Sequence, residues 1–408
     1  MKGGVPVSGR FAMLALALGG FGIGTTEFVA MGLLPQIAEN MNVSEPAAGH
    51  VISAYALGVV VGAPTIAAFT ARVNRKRLLV WLMVAFTIGN ALTVFAPSMG
   101  VLIGSRFVAG LPHGAYFGVA SLVAAELAGS GKRAKAVATV MLGLSVANVV
   151  GVPLASAMGQ QVGWRSAFAL VAVIGVVTMA ALLRWVPSME AMAGSSAKAE
   201  MGALRRPQVW MTLAVGMVGF GGMFAVYTYI ATTLTDVAGL AAGLVPLALM
   251  LYGLGMVTGN VIGGRLADRA LMPSMFAMLT LIAVVMALFV VAVHNPVTAL
   301  GAVFLVGASG AAMVPALQTR LMDVAADAQN LAAALNHASL NVANAMGAWL
   351  GGMVIAAGFG YTAPAAVGAV LAVAGLVILA VSALMQRRSN ALDDSGAARG
   401  PAVQVDVA

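Results

Sequence analysis

Runs of about twenty apolar residues recur twelve times in this chain, each as long as a helix must be to cross a bilayer. A helix rises ~1.5 Å per residue, so ~20 residues cover a ~30 Å hydrocarbon core. The runs span roughly 11–35, 47–70, 78–96, 101–125, 135–158, 166–186, 209–234, 243–264, 274–293, 297–318, 331–357 and 362–385. Of 408 residues, 61% are hydrophobic and only 8% charged, against a usual charged share of about 25%. Too few charges remain to keep this surface dissolved in water, so its solvent is lipid. The first run carries Glu27 and lacks a small-residue cleavage pattern, so it reads as a retained helix and not a signal peptide.

The formal charge is +8, but the basic residues sit in short clusters between spans instead of on one face, which excludes a nucleic-acid groove. Lys and Arg favour the cytoplasmic side. With the N-terminus inside, 19 of the 21 basic residues fall there, including Arg72, Arg75, Lys76 and Arg77; Arg106 and Arg165 are the remainder. Both termini are therefore expected in the cytoplasm. Four tryptophans (Trp81, Trp164, Trp185, Trp210) fall near span ends, as in an interfacial aromatic belt. No cysteine is present, and the four histidines (His50, His113, His294, His337) are scattered, so neither disulfides, a metal site nor an enzyme's catalytic cluster is expected.

The longest polar interruption, residues 187–208, divides six spans from six. Gly20-Phe21-Gly22 matches Gly219-Phe220-Gly221 at an offset of 199, and Arg72 matches Arg269 at 197. Two such offsets indicate a parallel duplication, with a site near mid-membrane between the halves. The expected organisation is an N-terminal bundle (1–186), a cytoplasmic linker (187–208), a C-terminal bundle (209–386) and a disordered tail (387–408).

The loop after the second span reads AAFTARVNRKRL (67–78) and the loop after the eighth GRLADRALM (264–272). They resemble the G-x-L-a-D-R-x-G-R-[RK] loops of the major facilitator superfamily. Gly264, Asp268 and Arg269 match in the second copy; Arg72 and Arg75 match in the first, where Ala71 replaces the aspartate. By that resemblance these five residues are gating candidates, because an aspartate at a helix end can latch two bundles through a helix N-terminus or an arginine. Topology enforcement alone would also explain the arginines. Segments 21–38, 53–64, 106–118 and 163–168 resemble the bacterial drug–proton antiporter branch, with its sugar efflux permeases, chloramphenicol exporters and YdhP-type inner-membrane transport proteins. Gly151-Val152-Pro153 partly resembles the helix-5 antiporter signature. Gly143, Ala147, Gly151, Ala155 and Gly159 are spaced by four, a ridge of small residues that allows close helix approach.

Glu27 is the one acid well inside a span. Lying eight residues before Pro35, it is roughly 12 Å below the outer end of its helix. Arg106 lies at similar depth in span 4, so the two are in reach if both face the cavity. Desolvation disfavours an ionised carboxyl and a guanidinium favours it; a site alternating between these conditions can load and release a proton. By resemblance, Glu27 with Arg106 is the proton-coupling pair; the competing reading is a permanent structural ion pair or an internal hydrogen bond. Candidate substrate groups are Tyr55, His113, Tyr116, Asn148, Tyr227, Asn336, Asn341 and Asn344. His337, Asn341 and Asn344 share one helix face. Tyr227 and Tyr229 point roughly 200° apart, so at most one meets the cavity.

These readings converge on an all-α integral membrane protein of twelve transmembrane helices in two pseudo-symmetric six-helix bundles, the major facilitator fold. The implied activity is proton-coupled efflux of a small organic molecule by alternating access, in a bacterial inner membrane. The proton gradient is the energy source, no cofactor or metal is needed, the lipid bilayer is the surrounding partner, and a monomer is expected. Proton-coupled import on the same fold stays open, and a non-transporting membrane receptor is the distant alternative.

Overall fold

A backbone in lipid must satisfy its own N–H and C=O groups, and helices do so within one segment. The computed structural model describes residues 7–70, 73–128, 133–189, 202–325 and 329–397. Within them are twelve helices long and apolar enough to cross a membrane. In the first half these are α1 (Val7–Gly32), α2 (His50–Thr70), α3 (Arg75–Val94), α4 (Met99–Ala128), α5 and α6 (Trp164–Trp185). The fifth is built from Arg133–Val146, a π-helical turn at Ala147–Gly151, and Val152–Val162. The second half begins with α7, which runs as Pro207–Gly219, Gly221–Thr228 and Ile230–Thr232. It continues through α8 (Val245–Arg269), α9 (Leu271–Ala292), α10 (Pro296–Ala325), α11 (Gln329–Ala356) and α12 (Ala363–Ala397).

The duplication is visible in backbone contacts. A Cβ at Gly58 on α2 would overlap the Phe107 carbonyl on α4; a Cβ at Gly255 on α8 would overlap the Phe304 carbonyl on α10. Gly62 meets Leu111 as Gly259 meets Ala308, and Gly110 meets Tyr55 as Gly307 meets Tyr252. Every member is displaced by 197 (255 minus 58, for example). The loop offset of 197 belongs to this register, whereas α1 against α5 and α7 against α11 repeat at 204 (Gly143 on Ala17, Gly347 on Gly221), so the Phe-Gly likeness at 199 follows neither. Without a hydrophobic force between helices in lipid, such close backbone approach supplies the dispersion contact that holds a bundle together.

The small-residue ridge on α5 packs as its spacing predicts. Gly143 lies against the Ala17 carbonyl, Gly151 against Phe21 and Thr25, and Gly159 against Leu33, all on or beside α1. The π turn at Ala147–Gly151 immediately precedes Pro153. Proline cannot donate to the carbonyl four residues back and its ring crowds that group; a wider turn relieves both.

Two expectations need correction. The last helix continues to Ala397, past the tail expected to be disordered from 387, because Arg-Arg-Ser-Asn-Ala-Leu-Asp-Asp contains no helix breaker; residues 398–408 lie outside the described residues. Trp164 is buried, stacking edge-on against Phe168 and donating its Nε1–H to Asn40, whereas Trp81, Trp185 and Trp210 are exposed as belt residues.

Gly104 and Gly301, also 197 apart, face open space, and serve as controls for the glycine contacts. Gly58→Val and Gly255→Val are expected to destabilise the protein by about 1–3 kcal/mol or more, the usual cost of overpacking. Gly104→Val and Gly301→Val should leave the melting temperature in detergent unchanged. Thermal unfolding of the four variants checks this.

Candidate transport site

Arg106 is fully buried on α4, and its position is set by the residue before the acid. Its Nη1 donates to Thr26 Oγ1 and its Nη2 to the Thr26 carbonyl, both at 2.8 Å. Thr26 in turn donates to Asn90 Oδ1 on α3 at 2.6 Å. The guanidinium lies over the Tyr55 ring at 4.5 Å and the Phe168 ring at 5.0 Å, a desolvated cation–π arrangement. It is therefore held by four helices of its own half.

Glu27 and Arg106 do not form an ion pair; the one salt bridge among the described residues is Arg75–Glu126. The reading of a permanent ion pair is thereby set aside. Glu27 is 7% exposed, with Arg106 and Tyr55 of its own half and Tyr252 of the other within electrostatic reach. Tyr55 and Tyr252 are equivalents at the 197-residue offset, so the duplicated tyrosines flank the acid from both halves. The next residue, Phe28, meets Tyr227 edge-on at 5.8 Å, and Tyr227 stacks on Tyr252 at 3.8 Å. Tyr252 was legible only by applying the repeat offset to Tyr55.

The remaining candidates separate into two groups. Asn148, Asn336, Asn341 and Asn344 are all buried and each keeps at least one amide atom without a partner, as does the Tyr252 hydroxyl. Unpaired buried polar atoms are costly; Asn148 lies where the halves meet, and Asn341 and Asn344 share the face of His337, which meets the other half. Asn148 abuts Gly253 of α8, and α11 packs on α2 and α4. His113 also faces this region: its Nδ1 lies 3.1 Å from the Tyr55 hydroxyl, and its ring meets Phe117 edge-on. Phe117 then stacks on His337 of α11 at 5.9 Å, joining the halves. Tyr116, by contrast, donates to the Leu16 carbonyl inside the first bundle. Tyr229 donates to the Ala348 carbonyl and its hydroxyl lies against Gly49 of the first half at the loop end, so both tyrosines on α7 meet the other half, Tyr227 at Phe28 beside Glu27.

The gating candidates among the described residues sit on the side of the chain termini, and they do not join the halves there. Arg72 lies outside the described residues. Arg75 pairs with Glu126 of α4 at 2.6 Å, within its own half. Gly264 has open space beside it, and Asp268 and Arg269 are exposed with no ion pair among the described residues. Closure lies at the opposite face. Thr232 of α7 donates to Glu45 Oε2 at 2.5 Å, and Tyr361 lies within electrostatic reach of that carboxylate. Ser53 of α2 donates to the Ala345 carbonyl of α11 at 3.1 Å. These are the hydrogen bonds between halves among the described residues. Glu45 had no mark in the sequence, being one acid among several beside loops.

The geometry is that of two bundles sealed at one face around a buried acid and a set of amides. Residues 16–336 and 247–404 match the model of the Major Facilitator Superfamily. The chain belongs to that superfamily of transporters. It is 42% identical over 377 residues to the inner membrane transport protein YdhP of Escherichia coli K12, covering 92% of this chain and 97% of that one. It is 34% identical to a chloramphenicol resistance protein of Streptomyces lividans, covering 85% and 88%. The fold matches a D-xylose–proton symporter (TM-score 0.72, 18% identity, 91% and 97% covered). It also matches an inward-facing bacterial homologue of the lysosomal transporter Spinster (TM-score 0.70, 18% identity, 93% and 96% covered). The chain is thus a multi-pass membrane transporter and not an enzyme, as the sequence implied.

A hydrogen bond to a charged group contributes ~1.5–3 kcal/mol, so Glu45→Ala should open the sealed face about tenfold more often. The chain has no cysteine, which permits a single reporter at Asn344→Cys. Labelling by a membrane-impermeant maleimide from the face opposite the termini should be about tenfold faster with Glu45→Ala. Equal rates would remove Glu45 from the closure.

Proposed function

We propose that this transporter exports a small, neutral or weakly charged organic molecule in exchange for protons. The observation that carries this reading is Glu27, a buried acid without an ion-pair partner at the junction of the two halves. Such a carboxyl is expensive to keep charged away from water. Rocking of the halves would bring Tyr252 up to Glu27 and take it away again, while Arg106 and Tyr55 of its own half stay in place. A change in that surrounding is what a proton carrier requires. Arg106, clamped to Thr26, stays as a fixed positive field and does not travel with the proton.

The substrate reading rests on the amides. Asn148, Asn336, Asn341 and Asn344 offer unpaired donors and acceptors, which suit hydroxyl, carbonyl and amide groups. An ionic substrate would be expected to meet a second buried charge. The likeness to a chloramphenicol resistance protein supports export of a neutral polar compound, and the likeness to YdhP supports an inner-membrane location. With the basic loops inside, both termini face the cytoplasm and the sealed face is external. Single-chain enclosure of the site between two halves supports a working monomer.

Glu27→Gln should abolish gradient-driven transport while candidate compounds still bind. Uptake into inverted vesicles with an acid interior is the measurement, with phenicols and sugars as first compounds. Unchanged gradient-driven uptake by Glu27→Gln would sink the coupling assignment. Transport only toward the cytoplasmic side, along with the proton, would make the protein an importer.

A further inference from the structure

A second buried arginine, Arg320 on α10, has no role in the transport site. It is 4% exposed, and its Nη2 donates to two neutral amides, Gln386 Oε1 at 2.7 Å and Gln208 Oε1 at 3.2 Å. Its Nε has no partner among the described residues. Gln208 is itself held by Ser382, whose hydroxyl donates to Oε1 at 2.6 Å and whose carbonyl accepts from Nε2 at 3.0 Å. Arg75 in the first half, equally buried, has Glu126 as a counter-ion; Arg320 has none within ion-pair distance among the described residues. Buried charges are ordinarily paired, so this built but unneutralised guanidinium implies an anion supplied from outside.

A cavity of about 380 Å³ opens beside it, lined by Arg206, Pro207, Gln208, Arg320, Asp323 and Gln386. That volume falls within the ~300–1,000 Å³ of small-ligand sites. Arg206 is the N-cap of α7 and no side chain caps the helix, so the positive end of its dipole adds to the two guanidinium charges. Asp323, exposed at the rim, offsets one charge. The balance of about one positive charge suits a monoanion whose neutral polar groups can donate to that carboxylate. Arginine's planar fork matches phosphate oxygens. Trp210, Leu384 and Met385, within a turn of the lining residues on α7 and α12, are exposed apolar surface that acyl chains would cover.

The geometry points to a binding site for a singly charged phosphate group, that of an anionic phospholipid headgroup, at the ends of α7, α10 and α12 on the termini side. A free phosphate could offer the same oxyanion, but has no use for the apolar rim.

Native mass spectrometry of the full chain in mild detergent tests this, with phosphatidylglycerol, phosphatidylethanolamine of the same acyl chains, and inorganic phosphate as probes. The wild type should retain phosphatidylglycerol about tenfold more tightly than phosphatidylethanolamine, and millimolar phosphate should not displace it. Arg206→Gln, at an exposed position whose one tertiary hydrogen bond among the described residues is to the Val324 carbonyl, should weaken retention about tenfold with an unchanged melting temperature; Arg320→Gln should do the same or more. Arg205→Gln, exposed and outside the cavity, should leave it unchanged. Equal retention by wild type and Arg206→Gln would overturn the site, and equal retention of the two lipids would overturn its need for an anion. Displacement by millimolar phosphate would assign the same arginines to free phosphate and overturn the lipid.

Discussion

Backbone-to-backbone contact at glycine is the constraint on which the bundles depend. In lipid, apolar side chains gain nothing by leaving one hydrocarbon for another, so helices adhere by dispersion at close range and by polar stitches. Gly58, Gly62 and Gly110 bring α2 onto α4, and their equivalents Gly255, Gly259 and Gly307 bring α8 onto α10. The same contacts place Tyr55 and Tyr252 at corresponding points, so the scaffold's repeat also sets the surroundings of Glu27.

Within that scaffold, two buried arginines are treated differently from a simple ion pair. Arg106 is held by Thr26 and by aromatic faces, with only its Nε unpartnered among the described residues, which leaves the adjacent Glu27 without an ion-pair partner. An acid locked to its arginine could not exchange a proton at each cycle without breaking a buried pair, a step that costs about 3–5 kcal/mol. Separation of the two charges by one residue along α1 gives electrostatic coupling without that lock. Arg320 is fixed by amides alone and keeps its charge available.

The seal between halves uses short polar contacts at one face, Glu45 with Thr232 and Ser53 with Ala345, and an aromatic stack, Phe117 on His337, deeper in. Hydrogen bonds at a rim reached by water can exchange for water at modest net cost. A closure built this way can be broken and remade, as alternating access requires, while the glycine contacts inside each half persist.

Residue type and spacing alone determined the twelve spans, the division into two halves and the single intramembrane acid, because lipid leaves so few alternatives for an apolar run or a buried charge. The small-residue ridge on α5 was legible for the same reason: a period of four on a helix is a face. Partner choice was not. Thr26 instead of Glu27 as the acceptor for Arg106, Tyr116 turned into its own bundle, Arg75 paired to Glu126 instead of across the gap, and Glu45 as the clasp of the sealed face all depend on how helices rotate and tilt against each other. Sequence spacing fixes which residues share a face of one helix; only the tertiary packing fixes what that face meets.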